Sequence, residues 1–395
     1  MFVIDFKKEA NDIKEELISI RRDIHEHPEV GFEVHRTSEL IKNFLKAEGI
    51  EYREVSKTGV CGIIKGEKLG GNKTIAIRGD MDALPIQDMK SCEYSSKVNG
   101  KMHACGHDAH TTILLGVAKI LNKYKSEFSG NIKLLFEPAE ETVGGAQYMI
   151  QEGVLENPKV DYVLGLHVDE NVGIGNIEVK KGVVNAASNP FKIKITGQGG
   201  HGAAPHTTID PIVVASHIVV ALQSIVSREI SPVNPAVITI GTINGGTAQN
   251  IIPGEVTLSG IIRTMTKEDR LFASERLKEI VNGIALSSRA KAEIEIEESY
   301  PCLYNNDYMV ELLRDSAGNI LKSENVLEQK TPHMGVESFA YFALERPGVF
   351  YFLGSGNKQK KTTEPAHSSL FNIDEDCIPL GVAIQCLTAF NYLTK

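Results

Sequence analysis

The sequence predicts an α/β protein: a larger domain with a largely parallel sheet flanked by helices, and a smaller ferredoxin-like βαββαβ domain inserted into it. In both flanks of the chain, short apolar strand patterns alternate with amphipathic helix patterns, as parallel βαβ units do. The middle changes to strands and helices in the order β-α-β-β-α-β. The length, 395 residues, also exceeds what one hydrophobic core usually supports, so two domains are expected.

Near the N-terminus, Ile13, Leu17 and Ile20 share one helical face, and Leu40, Phe44 and Leu45 share another. Residues 74–78 read as a buried β-branched strand running into Gly79-Asp80-Met81-Asp82. From Ala109 onward Ile113, Val117, Ile120 and Tyr124 recur at three- and four-residue intervals, the stripe of a helix lying on a sheet. Residues 131–136 and 162–167 are short apolar strands. In parallel sheets of this kind ligands sit beyond the carboxyl ends of the strands, and Asp80, Asp82, Glu140, Glu141 and His167 all fall there.

The inserted module, residues 187–299, opens with an alternating strand at 191–196. Asp210-Pro211 supplies an N-cap and a first-turn proline for a helix carrying Ile212, Ala215, Val219, Leu222 and Val226. Strands at 236–243 and 255–263 flank a Gly245-Gly246 turn; a helix with Leu277, Ile280, Val281 and Ile284 follows, and Ala292, Ile294 and Ile296 close the set. Helix, strand and helix then resume, with the strand at 348–353, so residues 1–186 and 300–395 form the larger domain.

A net charge of −9, with Lys and Arg scattered, argues against a nucleic-acid surface. The first sixteen residues mix charges with isolated apolar side chains and lack a secretory h-region. No stretch approaches the roughly 18–20 consecutive apolar residues that cross a bilayer, so no membrane partner is expected. Six irregularly spaced cysteines suit reduced thiols, and with the missing leader they place the protein in the cytoplasm.

The chemistry concentrates in His103-Ala104-Cys105-Gly106-His107-Asp108, a thiol and two imidazoles just before a helix. The Glu140-Glu141 pair, His167 at the end of an apolar run, and His367 near the C-terminus add donors of the kinds that suit zinc or a similar divalent ion. Neighbours on an extended strand point in opposite directions, so Glu140 and Glu141 can act on one site only if a local turn re-aims one of them. Cys105 as a nucleophile with His107 as its base, and a non-catalytic binding protein on an enzyme fold, are the competing readings.

Five segments together resemble the M20 metallopeptidase and amidohydrolase family in its aminoacylase-like branch, which includes hippurate and auxin-conjugate hydrolases. They are Arg78-Gly79-Asp80-Met81-Asp82-Ala83-Leu84-Pro85; His103 through Thr111; Glu137-Pro138-Ala139-Glu140-Glu141; Gly199-Gly200-His201-Gly202-Ala203-Ala204-Pro205-His206; and Ala366-His367-Ser368-Ser369-Leu370-Phe371. The resemblance implies two divalent ions (Zn, Mn, Co or Ni) on Cys105, His107, Glu141, His167 and His367, with His103 and His110 outside the ligand set. It implies Glu140 as general base toward the water that the metal site activates, His201 as oxyanion stabiliser, in several members reaching across a dimer, and Asn250 and Arg263 as holders of the substrate carboxylate. More ligands than one catalytic zinc needs leave room for a second ion.

Two departures stand out. Where the wider family has His-x-Asp this chain reads Asp80-Met81-Asp82, which makes Asp80 and Asp82 orienting groups for a ligand histidine, Asp82 alternatively capping the turn before Pro85. Where many relatives have Gly-x-Glu-Asp-Phe, Ser338 replaces the acid in Gly335-Val336-Glu337-Ser338-Phe339. The resemblance implies a homodimeric hydrolase of N-acyl amino acids, of N-acetyl or N-benzoyl type, with a hinge near residues 187 and 299. Dipeptidase or carboxypeptidase action and N-acetyl-diaminopimelate deacetylation are the alternatives.

Overall fold

Strands form where the apolar runs fall. In chain order they are β1 Glu51–Val55, β2 Gly59–Lys65, β3 Thr74–Asp80, β4 Asn131–Glu137, β5 Tyr162–Gly173, β6 Ile177–Val179, β7 Ala187–Thr196, β8 Ala236–Gly245, β9 Glu255–Thr264, β10 Lys291–Ile296, β11 Val326–Glu328 and β12 Gly348–Gly356. The helices are α1 Phe6–Asp12, α2 Lys14–Glu26, α3 His35–Ala47, α4 His107–Lys123, α5 Glu140–Val143, α6 Gly145–Gln151, α7 Pro211–Ser224, α8 Lys267–Ser287, α9 Asp307–Leu321, α10 Phe339–Glu345 and α11 Cys377–Thr394. The computed structural model describes residues 4–395 and divides into two units. One comprises the chain through Val184 with Tyr304–Thr331 and Glu337–Lys395; the other comprises Asn185–Leu303 with Pro332–Val336.

The first unit holds an eight-stranded sheet in the order β1-β2-β4-β3-β5-β12-β6-β11. Its centre, β4-β3-β5-β12, is parallel, and β1 and β2 join it antiparallel at one edge. Every position of β3 and β12 is buried, the signature of a parallel strand covered on both faces. Helix α4 lies against β3, α2 and α11. Leu17, Ile113, Val117, Ile132, Leu164, Leu353 and Val382 belong to one continuous core.

The second unit is the predicted βαββαβ module. Its sheet runs β8-β9-β7-β10, antiparallel throughout. The Asp210 side chain accepts the Ile212 N–H, with Pro211 opening α7, and the Thr266 hydroxyl accepts the Asp269 N–H at the start of α8. Ile193, Ile218, Leu222, Leu258 and Leu277 pack between sheet and helices.

Two expectations need correction. Strand β5 does not end at His167; it continues to Gly173, because parallel pairing with β12 goes on past the apolar run through Val168↔Leu353 and Asp169↔Gly354. His167 therefore projects from within a strand. Two helices are also long and apolar enough to cross a membrane, Pro211–Glu229 and Cys377–Thr394, with mean hydropathies of 1.5 and 1.4. Scattered Ser, His and Gln break the consecutive run without lowering the average much. Helix α11 is 72% buried as a core element, whereas α7 leaves Ile212, Val213 and Val220 exposed. All six cysteines are free thiols.

One buried ion pair ties the N-terminal helices to the start of α4. Arg21, fully buried, places Nε 2.8 Å from Asp108 Oδ2, and His25 Nδ1 lies 2.6 Å from the same oxygen. Removing one partner of such a pair leaves an uncompensated charge, which costs more than the pair itself contributes. Arg21→Leu is expected to destabilise the first unit by about 3 kcal/mol in a denaturant titration; an unchanged midpoint would contradict a structural role for the pair.

Candidate metal centre

Backbone geometry sets the site before any side chain does. Gly106 takes φ +93°, and a Cβ there would meet Val168 Cγ2 at 2.3 Å. Glycine alone can turn the chain so tightly between Cys105 and His107, the first residue of α4. After β4, Ala139 adopts φ +59° and redirects the chain into α5, whose first two residues are Glu140 and Glu141. This is the local turn that an adjacent carboxylate pair requires. His367 also sits at φ +65°, with its N–H donating to Ala104 O at 2.7 Å, which fastens the C-terminal loop to the cysteine loop.

These turns bring the predicted donors together. Cys105, His107 and His167 form one group, Cys105, Glu141 and His367 a second, and His107, Glu140 and Glu141 a third, with the ligand atoms of each group within 4.8 Å of one another. Cys105 Sγ is 3.3 Å from His167 Nε2, and Glu141 Oε1 is 3.4 Å from His367 Nε2 and 3.8 Å from His107 Nε2. Both ring nitrogens of His107 and Oε1 of Glu141 are buried without a hydrogen-bond partner. Convergent, buried and unpaired donors of this type fit divalent cations, and overlapping groups on shared residues fit a pair.

The supporting groups are equally defined. Asp82 accepts the N–H groups of Glu140 at 2.9 Å and Glu141 at 3.2 Å, and its Oδ1 lies 3.5 Å from His107 Nδ1. Its capping role is therefore at α5, not at the turn before Pro85. Asp80 Oδ2 lies 3.5 Å from His107 Nε2 and 2.7 Å from Arg78 Nη1, while Oδ1 bonds His110 Nδ1 at 2.6 Å. His110 Nε2 accepts the Val168 N–H at 2.9 Å, so both its nitrogens are engaged; burial lowers its pKa to about 4 and keeps it neutral. His103 is buried, with its pKa lowered to about 3 for the same reason, and belongs to none of the donor groups.

Electrostatics points the same way. Asp80, Asp82, Glu137, Glu140, Glu141 and Glu337 are six carboxylates with little or no solvent exposure, and Arg78 pairs with three of them, Asp80, Glu137 and Glu337. Burial, then Glu337 and Glu141, raise Glu140 well above the usual carboxylate range. Burial and Glu141 likewise raise the Cys105 thiol, the direction opposite to the one that activates a nucleophilic cysteine. A cation in the site offsets the excess of negative charge and favours the thiolate.

Arg78, Glu137 and Glu337 had no role assigned from sequence. Arg78 Nε reaches Glu137 at 2.6 Å, and Nη2 reaches Glu337 at 2.9 Å and the Ser338 hydroxyl at 2.8 Å. A charged residue inside a strand otherwise buried end to end is the signal that could have found this network. His201, Asn250 and Arg263 belong to the second unit. His201 is exposed, with Nδ1 accepting the Ala203 N–H; Asn250 is exposed; Arg263 is half-buried on β9, with Nη1 lacking a hydrogen-bond partner.

Comparison with known proteins fits this geometry. Residues 76–391 match the model of peptidase family M20/M25/M40. The chain is 41% identical over 394 residues to thermostable carboxypeptidase 2 of Saccharolobus solfataricus, covering 98% of each. It is 38% identical over 382 residues to N-acetyl-L-cysteine deacetylase of Bacillus subtilis, covering 95% of this chain and 89% of the other. A crystal structure of a B. subtilis protein described as a dinuclear metal binding peptidase from the M20 family superposes with a TM-score of 0.84 at 33% identity, covering 97% and 99% of the two chains.

Protein prepared without chelator is expected to carry about two divalent ions per chain by elemental mass spectrometry. Cys105→Ser and His367→Ala should each lower that content, and Cys61→Ser, at a thiol buried away from the site, should not. Equal metal content in all three variants would contradict the ligand assignment.

Proposed function

This chain belongs to the M20/M25/M40 peptidase family, whose members include hydrolases of amide and peptide bonds, and we propose that it hydrolyses N-acyl amino acids to a free amino acid and a carboxylic acid. The observation that carries this reading is the aligned pair at the start of α5, with Glu141 among the metal donors and Glu140 beside it, raised in pKa and held by defined partners. Similarity to a deacetylase of an N-acetyl amino acid supports the acyl group over a second peptide residue.

Divalent cations on Cys105, His107, Glu141, His167 and His367 supply Lewis acidity toward the scissile carbonyl and make water a better acid. Glu140 then does the proton work. It takes a proton from the attacking water as the C–O bond forms, and gives it to the amide nitrogen as the C–N bond breaks, so the amine leaves neutral. Asp82 fixes the backbone of both glutamates at once, which holds base and ligand in register. Asp80, at the end of β3, bonds His110, which in turn accepts the Val168 N–H from within β5.

His201, Asn250 and Arg263 complete the proposal as oxyanion and carboxylate-binding groups. Arg263, with a buried nitrogen lacking a partner, suits an anionic ligand. A homodimer is the proposed assembly: the β8 edge strand exposes Val237 and Ile243, and α7 separately exposes Ile212, Val213 and Val220, apolar positions of the kind that a second copy covers. Free thiols support the cytoplasm as its compartment. The competing reading is cleavage of peptides at the carboxyl end, favoured by similarity to a carboxypeptidase.

The test is a panel of N-acetyl and N-benzoyl amino acids set against dipeptides, with added Mn, Co, Ni or Zn. The reading expects kcat/KM to be higher for acyl amino acids, and Glu140→Gln to lose about 100- to 10,000-fold in kcat while keeping its metal. Preference for dipeptides would transfer the assignment to a peptidase, and an active Glu140→Gln would remove the base.

A further inference from the structure

Ser338 is the one position in the Gly-x-Glu-Asp-Phe segment where this chain departs from many relatives, and it lies against the base. It is fully buried, and its N–H donates to Glu140 Oε1 at 3.0 Å. Its hydroxyl donates to Glu137 Oε1 at 2.5 Å and accepts from Arg78 Nη2 at 2.8 Å. Glu137 is itself pinned: Oε1 also accepts the Ala146 N–H at 2.6 Å, and Oε2 accepts Arg78 Nε at 2.6 Å. Arg78 and Glu137 stand near the ends of the neighbouring parallel strands β3 and β4, where Arg78 pairs with Leu135 and Asp80 with Glu137, so the clamp is as rigid as the sheet.

We propose that Ser338 is a positioning residue for the general base: its hydroxyl, gripped between Arg78 and Glu137, fixes the backbone N–H that orients Glu140. The proposal rests on Glu140 being that base. In this chain a group that both donates and accepts satisfies both neighbours, since Glu137 offers a lone pair and Arg78 offers a proton. A carboxylate there would face Glu137 at hydrogen-bond distance and would add a further acid beside Arg78, whose guanidinium already pairs with three. A neutral hydroxyl satisfies both neighbours without that charge, so this chain holds its base through a different bond from the one an acid would make.

Loss of the hydroxyl leaves the N–H in place but frees it to shift, and displacement of a reacting group by a fraction of an ångström is felt in the chemical step more than in substrate binding. Ser338→Ala and the near-isosteric Ser338→Cys are therefore expected to lower kcat by about 10- to 100-fold, with KM and bound metal within about twofold of the parent and an unchanged folded fraction. The substrate is whichever amide the parent enzyme turns over best, acyl amino acid or dipeptide, so an error in substrate class leaves this test intact. Full kcat in Ser338→Ala, a loss confined to KM, a loss that tracks missing metal, or failure of both variants to fold would each overturn the proposal.

Discussion

Arg78 is the side chain on which the catalytic half of this protein depends. It is buried at the end of a strand with no solvent-exposed position, and its three nitrogens bind Asp80, Glu137, Glu337 and Ser338. Those partners come from β3, β4 and the segment before α10. A guanidinium is the only side chain with enough donors in one plane to do this. Two of its three carboxylates in turn hold something nearer the donor cluster: Asp80 steadies His110 and faces His107, and Glu137 grips the residue that holds Glu140.

Charge explains why such a clamp is needed. Six carboxylates gathered out of water repel one another strongly, and Arg78 pairs with only three of them, while those near His107 and His367 raise these imidazoles toward the charged form. The site is consequently poised for cations, and the donors facing that space, Cys105, His107, Glu141, His167 and His367, are of the borderline-soft and hard mixture that zinc-like ions accept. Placing a permanent cation on the inner side and leaving the outer donors in contact chiefly with one another separates two tasks. Arg78 holds the frame, and the Cys105, His107, Glu141, His167 and His367 donors are left to hold cations.

Much of this was legible in the sequence because ligand spacing and strand endings are local patterns. The parallel sheet, the βαββαβ module, the onset of α4 near His107 and the need for a turn at the glutamate pair could all be read from periodicity and glycine placement. What escaped depends on pairing between distant segments. Asp82 caps a helix some sixty residues away, which no window of sequence reveals, whereas its orienting place beside a ligand histidine is met by its approach to His107. β5 outran its apolar stretch because its neighbour β12 continued. Ser338 stands out in the sequence only as a departure from the acid of many relatives, since nothing local announces that its hydroxyl meets Arg78 and Glu137.

Anomalous diffraction from crystals of the metal-loaded protein, recorded on both sides of the absorption edge of the bound element, tests the account most directly. It predicts two peaks enclosed by the Cys105, His107, Glu141, His167 and His367 donors, one of them in contact with the Cys105 sulfur, and Glu140 beside them without ligating. No peak among those donors, or a metal seated on Asp80 and His110 in place of Cys105, would contradict it.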